Sequence, residues 1–319
     1  ATSWIIKNLF ENTGSMFDRI TRRLYIAPFT LRESELMTAS LDLGWSRETV
    51  LDAYLVFGGL PYYLDMLDRR KSLAQNIDDL CFGAHAPLRN EVPHLMEATL
   101  SDSPLHREVL RMLSRSKSGV HRAKIAQALG DGGPLSRVLD DLEKCSYIRK
   151  YKNPYEKNKP SIYQLVDPFL LFSFKFIEGQ VESWASFAGS PAYYAWRGNA
   201  FELACLAHIP QLKAALGIGA VQTACFPWAS SLSALGAQVD LVIERADHVT
   251  DLCEMKYTDE PLAVSAEYER KLLRKRSAFM QESGTRNAVH LVAVSVHGIA
   301  RSTHADCLTK TVTLDDLFS

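Results

Sequence analysis

The sequence predicts a multidomain chain of α and α/β type, and three observations carry that expectation. Its 319 residues are enough for two or three separate cores. Helical periodicity from Pro104 to Cys145 is followed by two short strand-like runs, which sets three helices before a hairpin. Beyond residue 190, strand-like runs alternate with period two around a long basic helical segment, the mark of an α/β unit. Boundaries are expected at 1–103, 104–189 and 190–319. A hydrophobic content of 47% with 23% charged residues is ordinary for a globular chain, and a formal net charge of −1 excludes a uniformly basic nucleic-acid binder. Charge is nevertheless uneven. Residues 101–160 hold 13 Lys/Arg against 7 Asp/Glu, residues 201–260 hold 3 against 8, and residues 261–290 hold 6 against 3. A basic middle, an acidic segment and a basic helix fit contact with nucleic acid better than the bulk charge does.

The first hundred residues read as helical. Gly58-Gly59 before Leu60-Pro61 marks a helix end and turn, and Arg19, Arg22 and Arg23 form a basic turn. The chain starts at Ala1 without a methionine, so a preceding segment is expected. No stretch matches G-x-x-x-x-G-K-[ST], since Gly58-Gly59 and Gly130-Asp-Gly-Gly133 lack the lysine that would reach phosphates. These 319 residues are therefore not expected to hydrolyse ATP on their own.

In the second unit, Leu105 to Ser114, His121 to Leu129 and Leu135 to Cys145 place leucine, isoleucine and valine at helical spacing. Strand-like runs follow at Tyr147 to Pro154 and Ser161 to Val166, around a polar Pro/Lys loop. Three helices and a hairpin resemble the winged-helix superfamily, which puts Ser136, Arg137, Asp140 and Lys144 on the outer face of the recognition helix and Lys150, Lys152, Lys157 and Lys159 on or beside the wing. Two uses stay open, DNA contact and protein packing, because the lysines attract phosphate whereas Asp140 and Asp141 repel it. The aromatic stripe Asp167 to Ile177 reads as a core or interdomain helix.

In the third unit, a helix bearing Glu202 precedes strand-like runs at Ala220 to Trp228, Ala237 to Glu244 and Val249 to Tyr257. A basic helix from Val264 to Gln281 and a strand from Ala288 to Ser295 complete it. If the central hairpin turns about Asp247, paired residue numbers sum to 494, which sets Asp240 opposite Glu254. Directly opposed like charges are unfavourable, and a divalent cation reverses that sign. Glu254 and Lys256 project from one strand face, about 6.5 to 7 Å apart. Lys271 and Lys275 recur on the basic helix, either to steer phosphate or as a solvated face.

Asp240, then Glu254-Met-Lys256 on the next strand, resembles the PD-(D/E)xK phosphodiesterase superfamily, although Gln238-Val239 stands where a proline would precede the aspartate. Glu202 matches the acidic residue that a preceding helix often adds. The resemblance implies a restriction-endonuclease-like fold in which Asp240 and Glu254 hold Mg²⁺ or Mn²⁺, Lys256 orients water or stabilises charge, and DNA is cleaved. An inactive nuclease fold used as a DNA- or protein-binding regulatory module is the alternative.

Ala1-Thr-Ser-Trp-Ile, Asp18-Arg-Ile-Thr-Arg-Arg, Pro28-Phe-Thr-Leu-Arg-Glu-Ser-Glu and Gly58-Gly-Leu-Pro-Tyr-Tyr-Leu resemble, in order, the latter part of a prokaryotic family of AAA+ type ATPases. Residues 1–103 would then be an ATPase helical-lid remnant. ATP binding and homo-oligomer formation would belong to a longer parent protein, and any of Arg19, Arg22 and Arg23 could serve as an arginine finger there. The Asp167-Pro-Phe-Leu segment has an equivalent in that family, linking a winged helix to a terminal nuclease-like domain.

Six cysteines form no C-x-x-C pair, so neither zinc nor a disulfide framework is expected, and Cys205 and Cys253 read as small core residues. His208, His290 and His297 read as structural histidines. No apolar run spans a bilayer, no membrane partner is expected, and a cytoplasmic location is the default.

Overall fold

The computed structural model describes residue 22 and residues 26–99, 104–152, 154–155, 161–179, 181–230 and 236–319. Arg19, Arg23, Lys157 and Lys159 lie outside the described residues. The fold is mixed α and β with two sheets.

Helices α1 (Leu31–Ser40), α2 (Arg47–Phe57), α3 (Pro61–Asp65), α4 (Leu73–Ile77) and α5 (Glu91–Thr99) form the first unit. Thr30 starts α1 with a reciprocal cap: its hydroxyl accepts from the Glu33 amide, and the Glu33 carboxylate accepts from the Thr30 amide at 2.8 Å. Gly58 closes α2 with φ +66°, and at Gly59 a Cβ would sit 2.0 Å from the Phe29 carbonyl oxygen, so only glycine lets the two segments meet.

Helix α6 (Pro104–Ser114), strand β1 (Val120–His121), helices α7 (Arg122–Leu129) and α8 (Gly133–Lys144), and strands β2 (Ile148–Tyr151) and β3 (Ile162–Leu165) form the second unit. The three expected helices appear within about two residues of their predicted bounds. The sheet is antiparallel in the order β1-β3-β2. Strand β1 was not anticipated, since two residues carry no periodicity. Helix α9 (Pro168–Phe172) continues into a π-helical turn, Ser173–Ile177; Phe172 and Phe176 pack against Trp184 and Trp196, and Phe169 against Tyr63. The aromatic stripe is core.

Helix α10 (Trp184–Phe187), α11 (Pro191–Ala207) and α12 (Ile209–Ala215) lead into a five-stranded sheet ordered β4 (Thr223–Ala229), β5 (Gln238–Arg245), β6 (Val249–Lys256), β7 (Ala288–Ser295), β8 (Lys310–Val312). The first three strands are antiparallel, and α13 (Ala266–Ser283) provides the crossover to parallel β7. Helix α14 (Leu314–Leu317) ends the chain. The β5–β6 register pairs Leu241 with Cys253 and Val242 with Leu252, numbers that sum to 494 as the symmetric turn requires. Arg245 closes that turn by binding the Asp247 carboxylate, and His248 takes φ +65°. Val242, Leu252 and Leu291 pack with Leu272 and Phe279 of α13, whereas Leu241, Ile243, Cys253 and Met255 join the opposite core.

That larger core is continuous from Leu31 to Phe318 and runs through all three units. Polar contacts reinforce the first-to-last junction. His208 Nε2 accepts from the Leu31 amide at 2.8 Å while its Nδ1 meets the Ala204 carbonyl at 2.7 Å, and Tyr257 donates to Asp52 at 2.9 Å. Among the described residues, no helix is long and apolar enough to cross a membrane.

Candidate active site

The hairpin and α11 bring Glu202, Asp240, Glu254 and Lys256 together. Lys256 Nζ lies 3.9 Å from Asp240 Oδ2 and 3.9 Å from Glu254 Oε2, so one ammonium faces both carboxyl groups. The Met255 amide donates to Asp240 Oδ2 at 3.0 Å, which fixes the Asp240 side chain against the neighbouring strand. Glu202, Asp240 and Glu254 are buried to 7%, 8% and 3% exposure, a depth at which each carboxylate needs a partner.

Two further lysines supply partners. Lys275 of α13 donates to Glu254 Oε1 from a largely buried position. Lys117, in the loop between α6 and β1, lies 2.5 Å from Glu202 Oε1 and 3.4 Å from Asp240 Oδ1. Three carboxyl groups therefore face three amines. Burial, then the Asp240 charge, pushes the Glu202 carboxyl up to about 7, with Lys117 opposing. Burial and Asp240 raise Glu254 as well, against the pull of Lys275. Burial alone would lower the Lys117 ammonium, but Asp240 and Glu202 outweigh it and hold the amine above its ordinary value.

The oxygen donors suit a hard cation such as Mg²⁺ or Mn²⁺. An orphaned polar atom also points there: the buried Tyr268 hydroxyl has no hydrogen-bond partner among the described residues, and its phenol is raised by burial and then by Glu254 and Asp240. Yet among the described residues no group of three or more His, Cys, Asp or Glu side chains is arranged to hold a metal ion. The opposed carboxyl groups, expected to need a divalent ion between them, are instead bridged by ammonium nitrogens.

The remaining basic residues separate by their surroundings. Lys275, expected to steer phosphate from a helix face, is turned inward onto Glu254, because helical spacing sets which face a lysine shares but not which acid it meets. Lys271 is exposed. Ser136, Arg137 and Asp140 are exposed on α8, and Lys144 pairs with Asp140 at 3.1 Å, one helical turn away. Asp141 is not on that outer face. It is buried with its carboxylate 3.6 Å from His106, so its charge does not confront an approaching phosphate. Lys150 and Lys152 are exposed at the end of β2, with Lys150 over the Tyr163 ring.

Lys117 was not foreseen. Its neighbours in the chain, Ser116 and Ser118-Gly119, signal only a turn, and its acidic partners lie in another unit. Comparison of the chain with protein-family models, with curated proteins and with solved structures finds no significant match.

Proposed function

We propose that this chain is a metal-dependent phosphodiesterase acting on DNA, with its site at Glu202, Asp240, Glu254 and Lys256. The observation that carries the reading is the convergence of buried carboxyl groups from α11, β5 and β6 on the Lys256 amine. Asp240 and Glu254 would hold Mg²⁺ or Mn²⁺, which when bound supplies an activated water and charge neutralisation at the phosphate. Lys256 presents an ammonium with 36% side-chain exposure, able to reach substrate and to stabilise negative charge as it develops on a phosphate oxygen. Glu202, raised to about 7, can exchange a proton near neutrality. The β5–β6–α13–β7 arrangement supports a restriction-endonuclease-like reading, and α6, α7, α8 with the three-stranded sheet support a winged helix. Arg137, Lys150 and Lys152 would there contact phosphate. Residues 1–103 remain our reading of an ATPase lid remnant, with ATP and self-assembly belonging to a longer parent.

A second reading has its own observation. Three amines pair with three carboxyl groups, so the charges of the site balance internally, which suits an inactive nuclease fold serving as a DNA- or protein-binding module. Plasmid and single-stranded DNA incubated with the whole chain and Mg²⁺ or Mn²⁺ separate the two. Metal-dependent cleavage lost in Asp240→Asn supports the enzyme, and the absence of cleavage across both substrates and both metals favours the module.

A further inference from the structure

Lys117 stands out because the chain takes several steps to hold it in place. The Lys117 carbonyl accepts from Gln164 Nε2 at 2.6 Å, and Gln164 is itself oriented by Arg149 Nε at 2.8 Å. Tyr151 donates to the Ser118 carbonyl, and Ser116 Oγ to that of Gly119 at 2.7 Å. Gly119 adopts φ +82°, and a Cβ there would approach the Tyr163 carbonyl to 2.6 Å. Strands β2 and β3 thus brace the loop from two sides. Its backbone geometry is open only to glycine at that point.

The braced loop sends one amine out of the second unit and into the acidic site of the third, where it contacts Glu202 and Asp240 together. Beside it lies a cavity of about 130 Å³ lined by Ser114, Arg115, Gln164 and Asn199 as well as by Lys117 and Glu202. Four leucines also line it, so the space offers the aliphatic lysine stem apolar walls and its ammonium polar ones, and the side chain can withdraw there without unfolding the loop.

We propose that Lys117, paired with Glu202, is a resident counter-cation that competes with a divalent ion for the Asp240 carboxylate, so that the second unit gates metal loading of the site in the third. The inference rests on the phosphodiesterase reading of that site. A divalent cation approaching these oxygens must displace the ammonium or share them with it. An opposite charge this close shifts a carboxylate's affinity for a competing proton by about one to three powers of ten, and a metal competing for the same oxygens meets a penalty of similar order. Any partner that pulls the 115–119 loop back, or draws Lys117 into the cavity, would raise metal affinity. The gate and the wing share the same sheet, since β2 and β3 carry Tyr151 and Gln164.

The test is Mn²⁺ titration of the whole chain by calorimetry and water-proton relaxation at pH 7.5. Wild type is compared with Lys117→Gln, Lys117→Arg, Gln164→Leu and Asp240→Asn. Lys117→Gln is expected to bind Mn²⁺ about tenfold tighter or more, in line with the charge effect above. Lys117→Arg should stay near wild type, and Asp240→Asn should bind far more weakly. Gln164→Leu keeps the lysine but loosens its loop, and should also tighten binding. It carries the comparison if Lys117→Gln fails to fold. Equal or weaker Mn²⁺ binding in Lys117→Gln and Gln164→Leu, with wild type binding normally, overturns the gate and leaves the phosphodiesterase reading standing. No Mn²⁺ binding by any variant overturns both.

Discussion

Replacing Lys275 with methionine should expose how tightly the acidic site depends on its internal amines. The substitution keeps a long aliphatic stem and removes the ammonium that pairs with Glu254. Leaving one partner of a buried pair charged and alone costs about 3–5 kcal/mol. Glu254 has an escape, because it can take up a proton. From its ordinary value of 4.5, that uptake costs about 3 kcal/mol at pH 7 and less than about 1 kcal/mol at pH 5, at 1.36 kcal/mol per pH unit. The smaller route sets the penalty. Burial and Asp240 already raise the Glu254 carboxyl, while Lys275 and Lys256 hold it down. Losing Lys275 raises it further, so the variant matches wild type at low pH and falls behind as pH rises. Urea unfolding followed by tryptophan fluorescence and far-ultraviolet dichroism should give a deficit of at most about 3 kcal/mol at pH 7, since wild type already carries part of that cost in its raised carboxyl, shrinking below about 1 at pH 5. Adding Glu254→Gln should restore most of the deficit at pH 7. A deficit under about 0.5 kcal/mol at pH 7, the range of ordinary surface substitutions, would refute the reasoning. So would one that does not change with pH.

On the phosphodiesterase reading, in which the amine would stabilise charge without ligating the metal, Lys256→Ala should lower DNA cleavage by about a hundredfold or more while Mn²⁺ titration stays near wild type; Asp240→Ala should lose both. Replacing Lys150 and Lys152 together with alanine should weaken DNA binding alike on all sequences. The slope of log affinity against log salt should fall by about one unit per lost contact, read by fluorescence anisotropy across a salt series. Asp52, raised to about 6 chiefly by burial, with Tyr257 and Arg197 opposing and Asp259 and Glu48 assisting, gives the third test. A carboxyl raised on folding contributes stability below its unfolded value that is lost as pH climbs to the folded one. Asp52→Asn should therefore gain on wild type by up to about 3 kcal/mol between pH 4 and pH 6.5 in thermal melts, and a constant difference would count against the assignment.

The hairpin was legible because two local facts fix it: alternation along each strand and a short turn about Asp247. Together they determine which residue faces which, and the observed pairing follows. The helices of the second unit were legible for the same reason, since leucine and valine at helical spacing mark a buried face wherever the helix packs. Strands β1 and β8 were not, because two or three residues are too short for a period and gain their partners only from the finished sheet. Lys275 and Asp141 show the limit in side chains. Periodicity puts each on a helix face, but its charge partner, Glu254 or His106, belongs to a distant element. Lys117 is the extreme case: its acidic partners, Glu202 and Asp240, come from elements far along the chain.

The junction between the first and last units carries two titrating groups of opposite temper. His208 is locked as a single neutral tautomer, receiving from Leu31 and giving to Ala204, and burial lowers its basicity. Acidification works against that arrangement. Asp52, across the same junction and bonded to Tyr257, is eased by acidification instead. Their slopes against pH have contrary signs, one carboxyl raised and one imidazole lowered, both by burial. Opposed slopes at one joint act against each other, much as two metals of unequal expansion do in a compensated pendulum, and the Asp52 half of that pair is bonded to Tyr257, one residue beyond Lys256.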